Sequence, residues 1–231
     1  MKIGLMTVSH KRPDIDKCYC LMVDRLRNDY PDLFLPVCVV SLEEDKKVFE
    51  EHGIETYLYK NEPLGEKHNF AIKKLRDRCT HVLHMGSDDV IDNTYVDQII
   101  KYADYDYVWG LGLMFYSVRQ KRIRFWEGAN KNLGGPGKLV RAELLNKVDW
   151  HIWNDKLNCG LDKSCFEILT PHVQTVKRFS VAATKCMLLD IKSDMNINPY
   201  HLFMYNGKEI GFQYIVKRIS KVESEYLESL N

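Results

Sequence analysis

The sequence predicts an α/β fold with a mostly parallel sheet, and three observations carry that prediction. Buried-looking strands alternate with amphipathic helices through the first ninety residues. The strands "KIGLMTVS" (2–9), "LFLPVCVVS" (33–41) and "HVLHM" (81–85) are near-continuous apolar runs, as strands covered on both faces are. The segments between them carry apolar residues at helical spacing, Ile15, Cys18, Leu21, Met22 and Leu26 being the clearest set.

The elements follow in order. A helix over 14–29 succeeds the first strand, and "LEEDKKVFEEHG", closed by Gly53, forms a short helix after the second. "IETYLYKN" reads as a third strand. "LGEKHNFAIKKLRDRC" reads as a helix burying Phe70, Ile72 and Leu75 before the strand at 81–85. The rhythm then changes. "YDYVWGLGLMFYS" and "RIRFWEG" read as strands joined by the polar turn "VRQK", and the loop "ANKNLGGPGK" leads to a helix around 139–147. "NCGLDKSCFEIL" starts another helix and "KCMLLDIKS" is a late strand. The tail places Ile215, Ile219, Val222, Tyr226 and Leu230 on one helical face.

With 231 residues and no Pro/Gly/Ser-rich linker, repeat or low-complexity tract, the chain is expected to form one domain. Residues 1–92, where strand and helix alternate, are expected to form a nucleotide-binding half, and residues 93–231, with the C-terminal helix, a more irregular substrate-shaping half. The apolar fraction is 45%, enough for a substantial core, and 33 basic against 32 acidic residues leave no global pull toward nucleic acid or an anionic membrane. Seven cysteines, an odd number without a C-x-x-C pair, suit a reducing compartment. No stretch approaches the ~20 apolar residues of a membrane span, and the N-terminal apolar run is short for a signal peptide, so a cytoplasmic location is the expectation.

The most informative stretch is "HVLHMGSDDVI" (81–91). In open α/β sheets ligands bind beyond the carboxyl ends of strands, and Asp88 and Asp89 stand at such an end. Two adjacent carboxylates there call for compensation by a cation or by hydrogen-bond donors. A divalent metal carrying a nucleotide diphosphate would supply it. A turn or a helix N-cap would use the same residues.

The order of motifs resembles the GT-A glycosyltransferases, in particular the large inverting family that uses nucleotide-diphospho-sugars. A Thr/Ser-x-x-Arg-Pro-like loop corresponds to "SHKRP", a Gly-x-x-x-Arg-Asn-like helix start to "GEKHN", and an Asp-x-Asp-Asp-like motif to "GSDD". A Gly-Gly loop before an Arg-bearing helix corresponds to "GGPGKLVRAELL", and an acidic helix start to "GLD". Three positions depart from that pattern: Gly86 replaces the first aspartate, His68 the usual arginine, and Ser41 the acidic residue that meets the base.

The resemblance implies a metal-dependent transfer of a sugar to an acceptor hydroxyl, with Mn²⁺ or Mg²⁺ as cofactor and a UDP-sugar as the commonest donor. Asp162 corresponds to the catalytic base. Ser9, His10, Arg12, Ser41, Lys67, His68, Asn69, Ser87 and Asp88 are the expected donor-binding residues. Gly134, Gly135, Arg141, Trp126 and Trp153 are expected on the acceptor side. Metal ligands are expected from Asp88, Asp89 and a late histidine, His201, chosen from a segment that also offers Asp190 and Asp194. The acceptor is expected to be a glycan or a hydroxylated base in DNA. The latter rests on "VRQKRIRFWEGANK", where basic residues interleave with aromatics, a pattern that an exposed hairpin also produces.

Two other classes share parts of this reading. A non-catalytic sugar-nucleotide or glycan-binding module needs no base. A sugar-phosphate nucleotidyltransferase has a similar fold and substrate, but wants a Gly-rich basic loop after the first strand, where "SHKRPD" has no glycine. The G-x-G-x-x-G of a dinucleotide-dependent dehydrogenase is absent.

Overall fold

A computed structural model describes residues 1–130, 135–194, 200 and 207–230. The predicted alternation is present: β1 (Ile3–Val8), α1 (Pro13–Asp29), β2 (Phe34–Val40), α2 (Glu43–Glu51), β3 (Glu55–Leu58), α3 (Leu64–Lys73) and β4 (His81–His84). β1 lies between β2 and β4 in parallel register, and β3 pairs with β2 in parallel. Side chains alternate across this sheet, so Ile3 and Leu5 pack with α1 and α2 on one face while Met6 and Val8 pack with α3 on the other. α1 begins with Pro13, whose missing N–H costs nothing in the first turn. Phe70, expected in the core, is only partly buried, whereas Ile72 and Leu75 are fully buried.

The second half completes this sheet and builds another. β5 (Asp89–Ile91) and α4 (Asn93–Lys101) follow β4. The run expected as one strand over 105–117 is two strands, β6 (Tyr107–Leu111) and β7 (Leu113–Ser117). The break falls at Gly112, whose φ of +99° only glycine adopts readily. An added Cβ there would also meet the Phe125 ring at 2.8 Å. The kink sends β6 into one sheet and β7 into the other.

After β8 (Arg122–Trp126), the helix expected around 139–147 begins as a strand, β9 (Lys138–Arg141), and only then becomes α5 (Ala142–Asn146). β9 inserts antiparallel between β4 and β6, a tertiary pairing that local propensity does not encode. α6 (Leu161–Leu169), β10 (Val176–Ser180), α7 (Val181–Thr184), β11 (Leu188–Lys192), β12 (Lys208–Ile210), α8 (Gln213–Val216) and α9 (Lys221–Ser229) follow.

Among the described residues one sheet has seven strands, ordered β10-β6-β9-β4-β1-β2-β3, and is mainly parallel. The other has five, ordered β12-β8-β7-β11-β5, and is mainly antiparallel. The single C-terminal helix is two, because Ser220 caps α9 with a reciprocal Ser220–Glu223 capping box. Val222, expected on the apolar face, is exposed, and Ile215, Ile219 and Leu230 are buried. No helix of the described residues is long and apolar enough to cross a membrane.

Candidate active site

The ends of β1 and β4, joined by the β5–β11 ladder, position a group of carboxylates. β4 stops at His84, and the turn 85–88 carries the chain into β5, which leaves the parallel sheet and pairs antiparallel with β11. In that register Asp89 lies directly opposite Asp190. One carboxylate oxygen from each of Asp88, Asp89 and Asp190 lies within 4.8 Å of the others.

Each carboxylate also has a partner within the protein. The Arg12 guanidinium donates to Asp88 Oδ2 at 3.1 Å, the Gly86 amide donates to Asp89 Oδ2, and Lys192 Nζ lies 2.6 Å from Asp190 Oδ2. Asp190 Oδ1 is buried and accepts no hydrogen bond among the described residues. Burial pushes the Asp89 carboxyl well above the usual range, and Asp88 and Asp190 add to the shift. Burial likewise raises Asp190, against the pull of Lys192. For Arg12, burial works against the charge, and Asp88, Asp16, Asp89 and Asp190 more than offset it, raising its pKa.

These features fit a hard divalent cation. Three carboxylates converge, and a buried oxygen lacks a partner. The departure at Gly86 also has a physical reason: an added Cβ would stand 2.5 Å from Asp88 Oδ1 and 2.7 Å from Asp89 Oδ2. Any side chain there would crowd the carboxylates, and Asp190 restores their number to three.

A cavity of about 250 Å³ adjoins this group, lined by Ser9, His10, Arg12, Asn61, Lys67, His68, His84 and Gly86 among others. Five residues expected at the donor, Ser9, His10, Arg12, Lys67 and His68, therefore come together. Lys67 is fully buried, and its ammonium donates to Ser9 O at 2.6 Å, Ser41 Oγ at 2.8 Å and Asn61 Oδ1 at 3.2 Å. Burial lowers its pKa to about 8. Ser41 thus touches the cavity through Lys67. Burial keeps His68 and His84 neutral, their pKa values well below the ordinary one, with His84 Nε2 3.2 Å from His68 Nδ1.

Asp162 opens α6, with its side chain half exposed, and its Oδ1 lies 2.5 Å from the ammonium of buried Lys138 on β9. Lys138 lies opposite His84 in the β4–β9 ladder, so the ion pair stands behind the His84 side of the cavity.

Several expected site residues are placed elsewhere. Asn69 is buried, and its carboxamide is spent on the 151–155 segment: Nδ2 donates to Trp153 O at 2.6 Å and Asp155 Oδ1 at 2.8 Å, while Oδ1 accepts from Ile152 N and Trp153 N. The first amides of α3 are taken by Asn158 Oδ1 and Leu157 O. Ser87 is fully buried, and its hydroxyl has no hydrogen-bond partner among the described residues. Trp153 is fully buried against His68 and His84, with ring centroids 4.9 and 5.1 Å away, so it supports the cavity wall from behind.

Arg141 lies opposite His81, at the far end of the β4–β9 ladder from the His84–Lys138 pair that borders the site. There it donates to Glu143 Oε2 and Asp104 O. Trp126 sits on β8 in the five-stranded sheet, and Gly135 packs against Asn130. Gly134 and His201 fall outside the described residues. In the basic hairpin, Arg122 and Arg124 face Glu209, and Lys121 donates to backbone carbonyls at 228 and 230, the behaviour of an ordinary charged hairpin.

Two buried carboxylates escaped sequence reading. Asp16 accepts from Ser9 Oγ at 2.6 Å, and burial pushes its pKa up to about 6. Asp45 accepts from Lys11 N at 2.8 Å, and its Oδ1 is unpartnered. Both shape the loop after β1, and both looked like surface residues of charged helices.

No family model matches the chain, and no curated protein matches it in sequence. Solved structures do resemble it. A mycobacterial protein superposes with a TM-score of 0.55 at 10% identity, over 87% of this chain and 70% of its own. An inositol-1-phosphate CTP transferase from T. maritima superposes with a TM-score of 0.52 at 10% identity, over 98% of this chain and 96% of its own. At this identity the likenesses show a shared α/β fold.

Proposed function

We propose that the chain is a transferase acting on a nucleotide-diphospho-sugar, with a divalent cation, Mn²⁺ or Mg²⁺, held by Asp88, Asp89 and Asp190. The observation that carries this reading is the convergence, among the described residues, of three carboxylates, one with an unpartnered buried oxygen, beside a cavity that those residues line with Arg12 and Lys67 and with no acidic side chain. Acid on one side and base on the other suit a cation–diphosphate pair. The bound cation would neutralise charge that develops on the departing diphosphate.

The protein's own groups supply the rest. Arg12 and Lys67 bring positive charge to the phosphates, and Lys67 fixes Ser9, Ser41 and Asn61 around the nucleoside. His68 and His84, neutral, offer hydrogen bonds without adding charge. In glycosyl transfer the acceptor hydroxyl oxygen bonds to the anomeric carbon as the carbon–oxygen bond to the diphosphate breaks. Asp162 takes the hydroxyl proton, and Lys138 holds its carboxylate in place. The acceptor is a hydroxyl-bearing glycan or base, and residues 93–231 shape its side of the site.

A second reading is nucleotidyl transfer, in which a sugar phosphate attacks the α-phosphorus of a nucleoside triphosphate and pyrophosphate leaves. The full-length likeness to a CTP transferase supports this reading more directly than glycosyl transfer. Against it stands the loop 9–12, with no glycine to wrap a triphosphate. We therefore place glycosyl transfer first.

Products separate the two readings. Incubation with UDP-, GDP-, CDP- and dTDP-sugars and Mn²⁺ is expected to release a nucleoside diphosphate. Nucleoside triphosphate and sugar phosphate appearing with added pyrophosphate would establish nucleotidyl transfer instead. No turnover of any donor under either condition would leave a binding module.

A further inference from the structure

The cations that border the carboxylate group are held differently. Lys192 is two residues from Asp190 on β11, shares its face of the strand, and is 6% exposed. Arg12 comes from the loop between β1 and α1 and is 19% exposed. It lines the 250 Å³ cavity and also a second one of about 510 Å³, formed with Lys11, Pro13, Ser193 and Tyr226 among others. It therefore stands where a phosphate-bearing ligand would enter, with one terminal nitrogen on Asp88 Oδ2.

A guanidinium and a divalent cation on one carboxylate repel each other at short range. A diphosphate offers the planar guanidinium two oxygens to grip and at least equal charge.

We propose that Arg12 and a divalent cation compete for Asp88, and that a diphosphate relieves the competition by taking Arg12. Cation and diphosphate then bind cooperatively, each strengthening the other by the same factor. Arg12 is in this sense a coupling residue, which goes beyond its role as a phosphate contact. The inference rests on the cation site proposed above.

The test measures Mn²⁺ binding to the full chain by electron paramagnetic resonance. Wild type, Arg12→Gln, Arg12→Lys and Asp88→Asn are titrated with Mn²⁺ alone. Each is then titrated with UDP, GDP, CDP or dTDP, and protein-free titrations subtract chelation by the nucleotide. Arg12→Gln is expected to bind Mn²⁺ alone about tenfold more tightly than wild type, since a nearby positive charge is gone. The affinity gain that a diphosphate gives wild type is expected to shrink by about that factor in this variant, leaving the part that direct contact between phosphate and cation supplies. Arg12→Lys keeps the charge, so its affinity for Mn²⁺ alone stays near wild type, while its coupling falls because an ammonium cannot grip two oxygens in a fork. That variant carries the test if melting curves show Arg12→Gln unfolded.

Unchanged or weaker Mn²⁺ binding by Arg12→Gln, or full coupling in Arg12→Lys, overturns the proposal and leaves the cation site standing, provided Asp88→Asn binds less. Absence of Mn²⁺ binding by wild type with every nucleotide removes the cation site and this inference together.

Discussion

The ammonium of Lys138 lies 2.5 Å from Oδ1 of Asp162, with the lysine wholly buried on β9 and the aspartate half exposed at the start of α6. Burial works against the lysine's charge, and Asp162 more than compensates, so the pKa of Lys138 lies above its ordinary value. The pair joins β9 to α6 next to His84, which lies opposite Lys138 in the β4–β9 ladder. It also makes the partners unequal, because only Asp162 can be hydrated if the other is lost.

Asp162→Asn is therefore expected to do two separable things. It leaves a buried lysine without its counter-charge, which costs about 3 kcal/mol of stability. It also removes the proton acceptor, which lowers turnover by about 100-fold or more. The double variant Lys138→Met/Asp162→Asn is expected to recover most of the stability and none of the turnover. Urea denaturation and donor consumption measure the two effects. Turnover recovered along with stability would make Asp162 structural.

Asn69→Ala is expected to destabilise the fold by about 2–4 kcal/mol, because the backbone amides of Ile152 and Trp153 lose a buried acceptor. Those amides hold Trp153 against His68 and His84, so the cavity wall loosens as well. Denaturation midpoints of wild type and variant check this. A loss below about 0.5 kcal/mol, the range of ordinary surface substitutions, would contradict the clamp.

Asp16 gives stability a pH dependence opposite to the common one. Burial, opposed by Arg12 and Ser9, moves its carboxyl from 3.8 to about 6. Between those values the folded state binds the extra proton, so the contribution of Asp16 is full below pH 3.8 and is lost as pH rises through about 6. The loss is about 3 kcal/mol at the rate of 1.36 kcal/mol per pKa unit. Asp16→Asn is expected to abolish this component, and to match or exceed wild-type stability at pH 7. Urea melts at pH 4.5 and 7 in a chelator-containing buffer check it. A wild type whose pH response equals that of Asp16→Asn would contradict the assignment.

The first four strands and three helices were legible because each is a local apolar pattern of the right period. Elements made by long-range pairing were not. "KLVR" reads as the approach to a helix and becomes β9 only because β4 and β6 offer it two edges. "DVI" is too short to announce β5. With β5 unread, its register against β11 was unread too, and that register makes Asp190 the third carboxylate. Asp190 is visible as a residue, but nothing in the sequence tells which side chain of that segment faces Asp89. The place of Arg141 at the His81 end of the ladder is illegible for the same reason, since reversing a strand exchanges its two ends.

The central claim is that Asp88, Asp89 and Asp190 hold one divalent cation. Anomalous scattering at the manganese edge, from crystals soaked with Mn²⁺ and each nucleoside diphosphate in turn, tests it most directly. The account predicts one strong peak within about 2.6 Å of an oxygen from each of the three carboxylates, with diphosphate density beside it. Bound nucleotide with no peak between those carboxylates, or a peak held by other residues, would contradict it.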